Sequence, residues 1–358
     1  MKRLLITTAL LLAGIAGSEA KPLTLAVVAP KTGMFAPLGD QVRHGAQLAA
    51  ARLSIDLVEI DENCEAGSGP DIAKKITEAE VTAAIGFLCS ESLEGGLPLL
   101  AEKNIPAISL SVRWKGLMED AAKQGWPFFR LAPTAEAEVQ ILTDFILRDW
   151  QSEPVALIED GTIRGRELTE AIRNSLEERG LKPVFTDTLR PGQEQQLSLV
   201  RRLQKAGATH VFIGGDRNDV AIIARDAAAE KIPLTILAGD AMQAANEPVP
   251  LRNGVMAVAL TETPEGPSAA DVTAALIEQK HAPDGYLLPA HAAVTIVADA
   301  VGISSAMGTP LTEALAGTMF ETVIGPITFT EGHELAENPY RLVEWKDGAF
   351  VPIAAGTQ

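Results

Sequence analysis

Along most of the chain, short apolar runs alternate with segments whose apolar residues return every three or four positions. The first kind predicts strands and the second helices, so their alternation predicts a parallel sheet wound with helices on both faces. Residues 23–29 read as the first strand, and Val42, Ala46, Ala49, Ala50 and Leu53 then share one face of a helix. Strands over 55–60, 83–87 and 107–110 continue this unit, with a helix opening at Pro70 and another over 92–103.

The same programme restarts after residue 135. A helix over 136–150 leads to a strand at 155–159, and Leu168, Ala171, Ile172 and Leu176 mark a helix that Gly180 caps. Strand 183–186, helix 194–206 with Gly207 as its cap, strand 210–214, helix 218–230 and strand 234–238 complete a second unit. Residues 254–260 read as a strand returning toward the first unit, which helices over 269–281 and 287–306 then cover. Strand is expected again at 322–330, 340–345 and 349–353, with Lys346, Asp347 and Gly348 as a hairpin turn.

The fold class expected is α/β: two doubly wound parallel-sheet lobes joined by a three-crossing hinge. The crossings fall near 131–134, 261–265 and 328–332, giving 21–131 plus 263–329 as the first lobe and 132–262 plus 330–358 as the second. Several crossings at one hinge favour closure around a ligand.

Residues 1–20 stand outside that pattern. Lys2 and Arg3 precede an apolar stretch from Leu4 to Ile15, and Ser18 and Ala20 are small residues at a cleavage site, the arrangement of a signal peptide. No later segment is expected to reach the roughly 20 uninterrupted apolar residues of a membrane span. The leader holds no cysteine to carry a lipid, so the expected location is the periplasm. Removing Lys2, Arg3 and Glu19 from 30 basic and 47 acidic residues leaves 28 and 46, a net charge of −18. Nucleic acid and anionic membranes both need clustered Lys and Arg, so neither is an expected partner; the acidity serves solubility.

Cys64 and Cys89 are the two cysteines, and in an exported chain a disulfide is the default. A metal site or a thiol nucleophile lacks support, because there is no C-x-x-C and His44, His210, His281, His291 and His333 are scattered without ligand spacing. The motifs of serine hydrolases, P-loop proteins, dinucleotide binders and zinc proteases are all missing. Neither a cofactor, a metal nor an enzyme activity is expected.

In open α/β sheets, ligands sit beyond the carboxyl ends of the strands. There the first unit carries Ser90, then Ser111, Arg113 and Trp114, and the second carries Asp160 to Arg164, Gly214 to Arg217, and Gly239 with Asp240. The Ser90 hydroxyl and nearby backbone N–H groups suit a carboxylate, although a serine before a helix also caps it. Arg113 would clamp a carboxylate or form a surface ion pair. Asp216 and Asp240 would receive an ammonium or cap helices. Gly67, Ser68 and Gly69 read as a turn at a helix start.

In combination these segments resemble the periplasmic leucine/isoleucine/valine-binding proteins. PKTGMFAPLGDQ at 30–41 is similar to the family's opening loop, and IGFLCSES at 85–92 to its I-G-H-x-C-S-S-x stretch. GLPLLAEKNIPAISLS, FIGGD, ETVIGPITFTEGHEL and VEWKDG have counterparts in the same order. The resemblance implies the type I periplasmic binding fold, a ligand enclosed by hinge closure, a monomer that delivers it to an inner-membrane ABC permease, and no catalysis. It implies that Cys64 pairs with Cys89. It places Ser90 on the serine that receives the ligand carboxylate, Ser111 on a position offering backbone groups, and Asp240 on the acid that holds the ammonium.

Some positions depart from the family pattern. Arg113 replaces a carboxylate-binding threonine, Arg164 and Asp216 replace pocket tyrosines, Leu38 replaces a covering aromatic, and Glu91 replaces a small residue. Unpaired buried charge costs several kcal/mol, so the ligand should bring polar groups of its own. A polar amino acid or small amino-acid-like carboxylate is therefore expected ahead of leucine or valine. The alternatives are an aromatic acid, a dicarboxylate or an amide, or a sensory binding protein of the same fold.

Overall fold

The computed structural model describes residues 23–33, 35–243, 248–283 and 285–353; the expected leader at 1–20 lies outside them. Five strands, β1 (Thr24–Ala29), β2 (Asp56–Asp61), β3 (Ala83–Gly86), β4 (Ala107–Ser109) and β5 (Phe128–Arg130), form an all-parallel sheet in the order β2-β1-β3-β4-β5. β1 and β3, in its middle, are apolar and almost wholly buried, as strands covered on both faces must be. A second sheet contains β6 (Val155–Glu159), β7 (Phe185–Thr188), β8 (His210–Gly214), β9 (Thr235–Ala238) and β10 (Met256–Ala259), all parallel. β11 (Met319–Thr322) and β12 (Gly325–Thr328) pair as a small antiparallel hairpin, and β13 (Arg341–Lys346) and β14 (Ala349–Pro352) add a hairpin edge, giving β14-β13-β10-β9-β8-β6-β7.

Several expectations need correction. The strand at 256–259 keeps to the second unit as β10, paired between β9 and β13, and the chain after it makes the crossing to the first. The helix expected over 92–103 is two short pieces, Ser90–Leu93 and Leu97–Glu102, because Gly95 adopts φ +70° and Gly96 and Pro98 open a new helix. Strand 183–186 sits two residues later, at Phe185–Thr188. Leu53 is 40% exposed at the end of the helix Ala36–Leu53, whereas Val42, Ala46, Ala49 and Ala50 are buried. The helix Lys115–Gln124 and β5 were not expected; Leu117, Met118 and Ala121 are its buried face. One helix among the described residues, Leu287–Met307, does have the length and hydropathy to cross a membrane. Its apolar side chains pack against Ala36–Leu53 in the first sheet's core.

Three stretches carry the chain between the sheets: after β5, after β10, and between β12 and β13. The third is tied to the first sheet at β5. The Arg130 N–H donates to the His333 carbonyl at 3.0 Å, the His333 ring stacks on Phe129 with centroids 4.1 Å apart, and the Arg130 guanidinium pairs with Glu334. The Thr134 side chain caps the helix Ala135–Asp149, accepting from the Ala137 N–H at 3.0 Å, so the first crossing also ends in a defined geometry.

Candidate functional site

The carboxyl ends of both parallel sheets bring charged side chains together. β4 ends in Ser109, whose hydroxyl donates to the Phe87 carbonyl at 2.8 Å and accepts from the Val112 N–H at 3.0 Å. One buried serine thus links the turn after β3, which carries Ser90, to the turn after β4, which carries Ser111 and Arg113. The Ser111 hydroxyl accepts from the Tyr286 hydroxyl at 2.9 Å, and the Gln41 side chain accepts from the Tyr286 N–H at 3.2 Å. Leu38 stands half-buried one turn before Gln41.

From this sheet Arg113 reaches the second: its Nη1 lies 3.3 Å from Asp240 Oδ2. Asp240 follows β9, and its carboxylate is the centre of the site. Tyr340 donates its hydroxyl to Oδ2 at 2.6 Å, and Arg164 Nη2 lies 2.5 Å from Oδ1. Arg164 also pairs with Glu138 at 3.0 Å, and Glu138 Oε1 accepts from the Asp240 N–H at 2.9 Å. The four charges Arg113, Arg164, Glu138 and Asp240 sum to zero.

The two acids titrate in opposite directions. Burial works to raise the Asp240 carboxyl, but the Tyr340 hydroxyl and both arginines outweigh it and hold Asp240 below the usual carboxylate range. Glu138, 3% exposed, is pushed up by burial first and by the neighbouring Asp240 charge second. Glu138 is therefore the member of the pair that takes up a proton first as pH falls.

The sequence-derived residues divide accordingly. Arg113 and Arg164 meet at Asp240, and Ser111, two residues before Arg113, is bonded to Tyr286. Ser90 is half-buried at the start of the helix Ser90–Leu93. Asp216 is exposed and caps the helix Arg217–Ala229, accepting from the Asp219 N–H at 3.0 Å. It still lines, with Glu138, Asp160, Arg164 and Asp240, a cavity of about 120 Å³. A larger recess of about 770 Å³ lies on the flank of the second sheet, around Gln193, Asn218 and Arg225, and includes no residue of the first. Cys64 and Cys89 form a disulfide with Cα atoms 5.4 Å apart.

Sequence reasoning missed Glu138, Tyr340, Tyr286 and Glu62. The chain has two tyrosines, and both stand at this site. Glu62 follows β2 directly, so the strand-end rule that selected Ser90 also reaches it. It is 1% exposed, its carboxylate oxygens accepting from the Leu88 and Cys89 N–H groups at 2.9 and 3.0 Å. Glu62 thus holds the two amides that lead into the helix at Ser90.

Two parallel sheets whose carboxyl ends share a charged cleft define a two-lobed small-molecule binder. The model of the periplasmic binding protein family matches residues 22–349, and the chain belongs to that family. It is 23% identical to Leu/Ile/Val-binding protein homolog 3 of Brucella melitensis, with 95% of this chain and 96% of the relative covered. It is also 23% identical to a leucine-, isoleucine-, valine-, threonine- and alanine-binding protein of Pseudomonas aeruginosa, over 95% of each chain. Among solved structures, a putative branched-chain amino acid ABC transporter protein from Rhodospirillum rubrum superposes with a TM-score of 0.78 at 20% identity, covering 93% of this chain and 100% of that one. A solute-binding protein from R. palustris in complex with benzoate superposes at 0.65 with 18% identity, covering 93% and 96%.

Proposed function

We propose that this protein is the periplasmic substrate-binding component of an ABC importer, that it captures an amino acid or small amino-acid-like carboxylate between its lobes, and that it hands the ligand to an inner-membrane permease. The observation that carries this reading is the Arg113–Asp240 pair, which joins the carboxyl ends of the two sheets. A zwitterion can enter that pair, its carboxylate meeting Arg113 and Ser90 and its ammonium meeting Asp240, and so replace one ion pair by two without changing the charge balance. Binding and release complete the cycle with no bond made or broken. The protein acts as a monomer, exported by residues 1–20, with 21–131 plus 263–329 and 132–262 plus 330–358 as the two moving bodies.

One observation favours a second reading. Asp240 already accepts from Tyr340, Arg164 and Arg113, which suits a carboxylic acid without an ammonium, and the benzoate complex is among the structural neighbours. Calorimetry with L-glutamine, L-arginine, L-leucine, succinate and benzoate separates the two. For an amino acid, Arg113→Ala and Asp240→Ala should each weaken binding at least about tenfold, as truncating one partner of a buried charged contact costs about 2–5 kcal/mol. For a simple acid, only Arg113→Ala should do so. Absence of binding across the panel, or wild-type affinity in both variants, overturns the assignment of this cleft.

A further inference from the structure

The turn between β3 and Ser90 is held in an unusual way. Phe87, 1% exposed, has φ +53°, a left-handed conformation that a bulky residue adopts only under constraint. Three groups surround it. Ser109 donates to its carbonyl, the Cys64–Cys89 disulfide tethers the chain two residues on, and Glu62 accepts from the N–H groups of both Leu88 and Cys89. A carboxylate oxygen of Glu62 lies within 4.8 Å of both disulfide sulfurs. The disulfide fixes how far Cys89 stands from Cys64, but it leaves rotation about that tether. Two hydrogen bonds donated by successive amides to one carboxylate remove the rotation and set the direction of the next residue, Ser90.

We infer that Glu62 is a positioning residue for ligand capture, aiming Ser90 through the Leu88 and Cys89 amides, and that its charge opposes the ligand carboxylate it helps to place. The inference rests on the proposed role of Ser90. Glu62 accepts from the amide of the residue before Ser90, so a ligand carboxylate on the half-buried Ser90 hydroxyl would bring a like charge toward the enclosed Glu62 carboxylate. Such a pair favours one shared proton. Glu91 is the other charge acting on Glu62, of the same sign, and Ser92 is its remaining polar neighbour. Burial in the first place, opposed by the two amides, already moves the Glu62 carboxyl up to about 7. Ligand binding should raise it further, so proton uptake accompanies capture. By linkage, affinity rises as pH falls from 8 to 6, approaching about tenfold for each unit by which the ligand raises the Glu62 pKa. Glu138 is the competing source of pH dependence, and variants of Glu62 distinguish it.

The test is calorimetry of the full chain with the tightest of L-glutamine, L-arginine, L-leucine and benzoate, at pH 6 and 8, in buffers of different ionisation enthalpy. The wild type should bind several-fold tighter at pH 6 and take up a proton. Glu62→Gln, the neutral counterpart of the protonated acid, should bind about as the wild type does at pH 6, with a flat profile and no proton uptake; Glu62→Ala, which loses the acceptors for both amides, should bind more weakly at both pH values, and Glu62→Asp should keep part of the pH dependence. The Cys89 amide proton in the unliganded wild type should shift with pH in nuclear magnetic resonance spectra, a readout that requires no variant to fold. An unchanged profile in Glu62→Gln, or a Cys89 amide signal that ignores pH from 6 to 8, overturns the inference. Wild-type affinity in Ser90→Ala overturns the reading beneath it instead, because the ligand carboxylate then rests elsewhere.

Discussion

At the scale of single residues, the strand-end rule found charged side chains beyond the ends of strands and missed Glu138, Tyr286 and Tyr340, which stand elsewhere in the chain. Asp240 lies two residues beyond β9, Arg113 four beyond β4 and Arg164 five beyond β6, and the structure joins both arginines to Asp240. Glu138 sits in the first turn of a helix, where an acid already complements the helix dipole; nothing in its surroundings along the chain shows that it will meet the residue after Gly239. Gly239 is what allows the meeting: a Cβ there would stand 2.6 Å from Glu138 Oε1. Gly239→Ala should therefore push Glu138 off the Asp240 amide, costing about 1–3 kcal/mol of stability as other overpacked sites do, and weakening ligand binding with it. Gly215 is the control, since a Cβ there meets its nearest atom at 3.4 Å, and Gly215→Ala should be close to neutral. Urea titration of the two variants measures the contrast. Equal stability in both removes the steric role given to Gly239.

At the scale of elements, periodicity located the long helices and the inner strands because each buries an apolar face that repeats. It failed where an element is short or broken. β5 has three residues, too few for a period to show, and the helix expected over 92–103 is interrupted at Glu94, whose ψ is 128°, and at Gly95, whose φ is +70°, against the apolar spacing. The third crossing was legible as a position but not as a structure, because its anchor is a contact between Arg130 and Glu334, 204 residues apart. Arg130 is 2% exposed while Glu334 is 33% exposed. Glu334→Ala leaves a buried guanidinium without its charged partner and should cost about 2–4 kcal/mol, below the full value for a wholly enclosed pair. Adding Arg130→Met should recover most of that loss, since an apolar chain of similar volume needs no counter-charge. A double-mutant cycle by chemical denaturation tests this. Additive losses would assign the anchoring to His333 and Phe129 and not to the ion pair.

At the scale of the whole molecule, the two units and the order of crossings were readable because the strand-helix programme repeats, but the neighbours of β10 within its sheet were not. Its apolar residues suit either sheet, and only pairing with β9 and β13 decides. What joins the units in the cleft is a charge contact that no local pattern announces. The Arg113–Asp240 pair is partly open to water, with the two side chains 31% and 17% exposed. A pair of this kind is worth about 1 kcal/mol, which changes the ratio of closed to open molecules about fivefold. Arg113→Ala should thus open the unliganded protein, and about 1 M salt should move the wild type the same way, because screening weakens exposed pairs most. A ligand that binds across the cleft should close it again in the wild type and less completely in the variant. Small-angle scattering and the distance between one fluorescent label on each lobe both report this. A wild type and an Arg113→Ala variant with the same unliganded profile at low salt would mean that crossings and apolar contacts set the lobe angle, leaving Arg113 to act on the ligand alone.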